Sequence, residues 1–219
     1  MTHRFSSASL AAVLLLALAG CGGPLTHTAE AYDASKVNNE QRASVQAAET
    51  EAADAGRKLH EAEERVPAAE EAVENAEKDV ERAEHAVELA KAKLDVEKVK
   101  GDGNERSDVE QAKSDLSKSE RDLAVKEAEV ELAEQKLERS KLAAVEAKQA
   151  WLVELAKVEI AKSEAAGVES AEAKENHTEL TKQLAEVEVD HAAAKEKLAS
   201  ADQAVSEEQD AVNKAKSDN

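Results

Sequence analysis

Residues 45–97 read VQAAETEAADAGRKLHEAEERVPAAEEAVENAEKDVERAEHAVELAKAKLDVE, and the fold follows from their spacing. Val45, Ala52, Leu59, Val66, Val73, Val80, Val87 and Leu94 recur every seven residues. Three residues after each come Ala48, Ala55, Ala62, Ala69, Ala76, Ala83 and Ala90, until Glu97 breaks the pattern. A sustained average spacing of about 3.5 residues keeps one seam of a helix turned toward a partner, which predicts a left-handed coiled coil. Ala at the second seam position lets the partner come unusually close. Pro67 falls one residue after a seam Val, so a kink or a restart near Val66 is expected rather than the end of the helix.

Two breaks divide the rest of the chain. Gly101-Asp102-Gly103-Asn104 combines two residues that tolerate positive φ with two that form local side-chain bonds, and is read as a hairpin turn. Ser107 or Asp108 can cap the next helix. Its seam holds Val109, Leu116, Leu123, Val130, Leu137, Ala144, Trp151 and Val158, with Ala112, Ser119, Lys126, Ala133, Ser140, Ala147, Glu154 and Ala161 as companions. From Val125 onward a second apolar set, including Leu132, Leu142, Val145, Leu152 and Ile160, lies off that seam, and a helix apolar on two faces wants two neighbours. Gly167 marks the second break. A third helix carries Leu180, Leu184, Val187, Ala194, Leu198, Ala201, Val205, Val212 and Ala215. The expected helices are 37–100, 107–166 and 169–216, on the order of 95, 90 and 70 Å long.

Flanking charges and side-chain size choose an arrangement. Paired in parallel with a copy of itself, the second-helix seam would set Asp115 on Glu120, Asp122 on Glu127, Glu129 on Glu134 and Lys136 on Lys141, all repulsive. An antiparallel hairpin closed at the glycine turn brings Glu70 near Lys141, Glu63 near Lys148, Glu49 near Lys162 and Lys91 near Glu120, although it also sets Glu84 on Glu127 and Glu77 on Glu134. The same register places Trp151, the only large seam residue, opposite Ala52-Ala53-Asp54-Ala55-Gly56, the smallest stretch of the first helix. Large against small is what close packing requires. The expected fold is therefore all-α: a long antiparallel coiled-coil hairpin with a third helix, an elongated three-helix bundle, preceded by a disordered tether.

Composition agrees. The 219 residues include one Trp, one Tyr, one Phe, two Pro and seven Gly, and roughly a fifth of them are Ala. Ala, Glu, Lys, Leu and Val together describe long helices, and the aromatic and turn residues of a β fold are missing. With 29 Lys and Arg against 48 Asp and Glu, the formal net charge is −19. A surface this acidic, with hardly an aromatic, offers neither phosphate neutralisation nor stacking, so nucleic acid is not expected as a partner.

The N-terminus reads as an address. Arg4 precedes an apolar run from Leu10 through Leu18, too short to cross a bilayer but suited to a signal-peptide core. It ends in Leu18-Ala19-Gly20-Cys21, which resembles the lipobox of bacterial lipoproteins, and Cys21 is the only cysteine of the chain. The resemblance implies a signal peptide over residues 1–20, cleavage between Gly20 and Cys21, and a diacylglyceryl group and an N-acyl chain such as palmitate on Cys21. It also implies, from Gly22 after the cysteine, sorting to the outer membrane. Three acyl chains at about 0.8 kcal/mol per buried methylene hold a protein essentially permanently. Residues 21–36, with Gly-Gly-Pro and scattered Ser and Thr, read as a lipidated flexible tether ahead of a coiled-coil domain over 37–216.

No catalytic set is legible. There is no phosphate loop, no metal-ligating cysteine set and no nucleophile elbow, so neither an enzyme nor a metal site is expected, and no cofactor beyond the covalent lipid. His177 and His191 stand two heptads apart on the third seam, near Glu188 and Asp190, where a register-fixing role outweighs a ligand role. The third-helix seam and the outer face of the second helix are expected to be the contact surfaces for another protein or for self-association as a homo-oligomer. The leading expectation is a structural or scaffolding rod in the cell envelope, facing the periplasm and meeting another envelope protein or peptidoglycan. Its acyl anchor and heptad helix are similar in architecture to the murein lipoprotein. That family ends in a Lys joined to peptidoglycan, whereas this chain ends Lys216-Ser217-Asp218-Asn219, so covalent attachment is not implied. The alternatives are a docking or adaptor component of an envelope transport or secretion assembly, using the turn at Gly101, and a surface-displayed adhesin.

Overall fold

A computed structural model describes residues 25, 28–29, 32–100 and 105–217. Three helices take up nearly all of them: α1 (Asn39–Lys100), α2 (Glu105–Ala166) and α3 (Ala171–Ser217). The protein is all-helical, with no strand among the described residues. The expected signal peptide, Gly20, Cys21 and the turn residues Gly101, Asp102, Gly103 and Asn104 lie outside the described residues.

Helix ends follow local chemistry. Asn38 and Gln41 form a reciprocal capping box, in which the Gln41 amide N–H donates to Asn38 Oδ1 at 2.9 Å and the Asn38 N–H donates to Gln41 Oε1 at 3.0 Å. Two otherwise orphaned donors are satisfied in this way. At the start of α3 the Ala173 N–H donates to Ser170 Oγ at 3.0 Å. Gly167 ends α2 with φ +90°, a conformation that costs an L side chain roughly 1–2 kcal/mol and glycine nothing. Glu105 opens α2 ahead of Ser107 and Asp108, which therefore stand in its first turn rather than at its cap. Pro67 lies inside α1 without ending it. It stands on the exposed side, where water can hydrogen-bond the Glu63 carbonyl that proline leaves unpaired.

The described part of the expected tether is irregular, yet it is held. The Ala29 N–H donates to Glu159 Oε2 at 2.7 Å, and Asn176 Nδ2 donates to the Thr28 carbonyl at 3.3 Å. A turn at residues 34–36 is closed by Asp33, which accepts from the Ser35 N–H, the Ser35 hydroxyl and Lys36 Nζ. These donors lower its carboxyl pKa to about 2, the Ser35 hydroxyl most strongly.

The chain divides into two compact units, one of residues up to His60 with Val145–Lys195, the other of Glu61–Ala144 with the residues from Glu196 on. In the first, Val45, Leu152, Ala156, Val158 and Leu180 are buried. Trp151 stands against Gly56: a Cβ built there would come within 3.3 Å of the indole Nε1. Lys162 lies 3.9 Å from Glu49. In the second unit the core is Val87, Ala90, Leu94, Ala112, Val125, Leu132 and Val212. Lys93 meets Asp115 at 2.8 Å, Lys126 approaches Asp79 at 3.8 Å, Arg139 pairs with Asp202, and Lys216 meets Glu129 at 2.8 Å. Every α1 seam position from Val45 to Glu97 is buried or half-buried, and most of the rest of that helix is exposed. On α2 a single stripe is buried up to residue 124, and both faces are covered from Val125 onward. Along α3 the seam residues are buried or half-buried within the chain, Leu180 completely.

Candidate functional site

Fully burying a Val or Leu contributes about 1.5–3 kcal/mol, whereas a polar atom buried without a partner costs on the order of 1–3 kcal/mol. Polar groups inside a narrow helical core therefore mark where something besides stability is at stake. The first unit has buried Gln149, Ser163 and Gln183, and it also carries a groove of about 450 Å³ lined by Ala55, Ala147 and Ala150. Its walls carry Glu51, Asp54 and Lys58 from α1, Glu146 and Glu154 from α2, and His191 from α3.

His191 Nε2 lies 2.8 Å from Glu146 Oε1, with both side chains largely buried. Sequence proximity pointed instead to Glu188 and Asp190, but both are exposed. Because α3 turns its seam toward α2, His191 meets a carboxylate 45 residues earlier in the chain. The clue was the second apolar set of α2, since Val145 and Glu146 stand off the first seam. One oxygen of Glu154 accepts from Lys157 at 2.8 Å; the other is buried without a hydrogen-bond partner.

His177, the other seam histidine, is half-buried, and its Nδ1 is buried without a partner. Gln149 is buried with Oε1 unpartnered, a position that its sequence did not mark. These groups are spread along the interior of the first unit, His177 two heptads from His191, and three of them keep a buried polar atom without a hydrogen-bond partner. Among the described residues no group of three His, Cys, Asp or Glu side chains stands close enough to hold a metal ion.

The second unit has a groove of about 550 Å³ with a different character: Ala68, Ala69, Ala72, Leu132 and Ala133 line it, and Glu129 and Lys216 stand at its rim. Glu129 accepts from Lys126 at 2.7 Å as well as from Lys216. These two cations hold its carboxyl below the usual carboxylate value, Lys126 with the larger effect. Such a lock fixes the end of α3 onto α2. No helix among the described residues is long and apolar enough to cross a membrane. Comparison of the chain with protein-family models, curated proteins and solved structures finds no match.

Proposed function

We propose that this chain is an outer-membrane lipoprotein, anchored through Cys21, that serves as a structural or scaffolding coiled coil of the cell envelope. The observation that carries this reading is the Leu18-Ala19-Gly20-Cys21 sequence after a short apolar run, set ahead of three heptad helices. An acyl anchor confines the chain to a membrane surface. Long Ala-seamed helices supply reach and lateral contact.

Within each unit neighbouring helices are read as running in opposite directions. Within the first unit Glu49 meets Lys162 and Gly56 meets Trp151, so positions rise along α1 as they fall along α2. Within the second, Asp79 with Lys126 and Lys93 with Asp115 follow the same opposite order. Glu129 with Lys216 and Arg139 with Asp202 repeat it for α2 and α3. The acidic outer faces keep such a scaffold soluble and ward off anionic polymers.

The test is the mass of the mature N-terminal peptide together with fractionation of cells. The wild-type chain should begin at Cys21 with a thioether-linked diacylglyceryl group and an acylated amine, and should sediment with outer membranes. Cys21→Ser should release it to the soluble fraction with unchanged helicity. An unacylated Cys21, or membrane association that survives the substitution, would reject the anchor.

A further inference from the structure

The outward side of α1 near its C-terminal end carries an apolar stripe. Leu89, Val96 and Val99 are 72%, 52% and 86% exposed, and Ala92 among them is exposed as well. The spacing 89, 92, 96, 99 is that of heptad positions a and d. It is displaced by two residues, about 200° of helical turn, from the buried inner seam at Val87, Ala90 and Leu94. Stripe and seam therefore lie on opposite sides of one helix. A single hairpin needs only the seam, and large aliphatic side chains repeated at heptad spacing on the far side are the mark of a second helical partner.

The charges beside the stripe select that partner. In its register Glu88 takes position g and Lys93 position e of the following heptad, and Asp95 and Lys100 repeat the pattern in the sequence. Two parallel helices bring g of one against the next e of the other. A second copy in parallel would thus face Glu88 with Lys93, a pair that occurs twice. Two antiparallel copies would instead set carboxylate on carboxylate and ammonium on ammonium. We infer that the Leu89-Ala92-Val96-Val99 stripe of α1 is a self-association surface that receives the same stripe of a second copy in parallel.

Existing contacts leave room for this. Glu88 lies 3.5 Å from His85 and Asp95 is 3.3 Å from Lys98, both exposed pairs within one helix turn. Lys93 donates to Asp115 at 2.8 Å, and an ammonium has two further N–H groups to offer. The flanks of the α2 seam have the opposite character, repelling a parallel copy, and Ala112 on that seam is already buried.

Pairing by this stripe does not depend on the anchor, so it is tested in the full chain carrying Cys21→Ser, which also removes the only other thiol. Sedimentation equilibrium should give the mass of a dimer, and Leu89→Glu with Val96→Glu, both at exposed positions, should give a monomer of unchanged helicity. Val96→Cys should oxidise to a disulfide-linked dimer, because an a position meets its own counterpart in a parallel pair. Glu88→Lys and Lys93→Glu should each weaken dimerisation about tenfold, and an equimolar mixture of the two should restore it. A monomer at about 0.1 mM, a dimer indifferent to the paired Glu substitutions, or a mixture no tighter than either variant alone would overturn the assignment. So would capture of a different protein on the stripe by a chain that itself stays monomeric.

Discussion

Trp151 and Gly56 should behave as one packing unit, and exchanging their sizes tests it. An indole removed from a fully buried site costs about 3–5 kcal/mol. Trp151 is only half-buried, so Trp151→Ala should cost about 2–3 kcal/mol. At Gly56 even a Cβ would come 3.3 Å from Nε1 and 3.5 Å from Cδ1 of the ring. Gly56→Leu must therefore push the indole aside, at about 1–3 kcal/mol for overpacking, of which the better helix propensity of Leu offsets roughly 0.8 kcal/mol. In the double variant the Leu side chain enters the space the indole leaves, and the total loss should fall to about 1–2 kcal/mol, a coupling of roughly 2 kcal/mol. The assay is urea unfolding of the four proteins followed by far-UV circular dichroism, since fluorescence is lost with the only Trp. Free energies that add to within about 0.5 kcal/mol would refute the contact.

Three further outcomes are expected from the geometry. The carboxyl of Glu129 is held below its ordinary value by Lys126 and Lys216, so its contribution is present above the unfolded value and is lost as pH falls through the lower folded one. Amide exchange at the end of α3 should accelerate in that acid window, and Lys216→Ala should move the transition to higher pH; an unmoved transition would show that the lock is not what holds the end. Gly167→Ala has open space around it but a φ of +90°, so it should cost on the order of 1 kcal/mol in thermal unfolding, and a neutral result would mean that the turn re-forms otherwise. Leu180 is 0% exposed, and Leu180→Ala should cost about 3 kcal/mol in urea unfolding; a loss below about 0.5 kcal/mol would mean that α3 is not held by its seam.

Much of the helical organisation is legible in the residues alone. The heptads of α1 mark its buried side residue by residue, because one partner along one face imposes one period. The α3 seam is legible for the same reason, and the need of α2 for two neighbours is visible from Val125 onward. The buried polar groups are less so. His191 lies on the seam its spacing predicts, but the carboxylate it meets depends on how far α3 rotates and slides on α2, and Glu146 carries no local sign of that. Gln149 is similar: an amide at a position that a single-seam reading leaves in water is buried once α2 is enclosed on both sides. Cys21 and Gly101–Asn104 lie outside the described residues, and their readings rest on the sequence alone, on a resemblance to a lipobox and on expected turn chemistry.

Sequence by itself determined that the chain is helical, where its helices break and which stripes turn inward, since periodicity, caps and breakers act within a few residues. Only the tertiary structure decided which carboxylate His191 meets, that the α3 seam is buried or half-buried within the chain, and that Leu89, Val96 and Val99 are left outside. The physical reason is that burial on a helix is set by the number and direction of its neighbours. A heptad written twice on one helix states that two partners are wanted without stating which stripe the chain itself will cover.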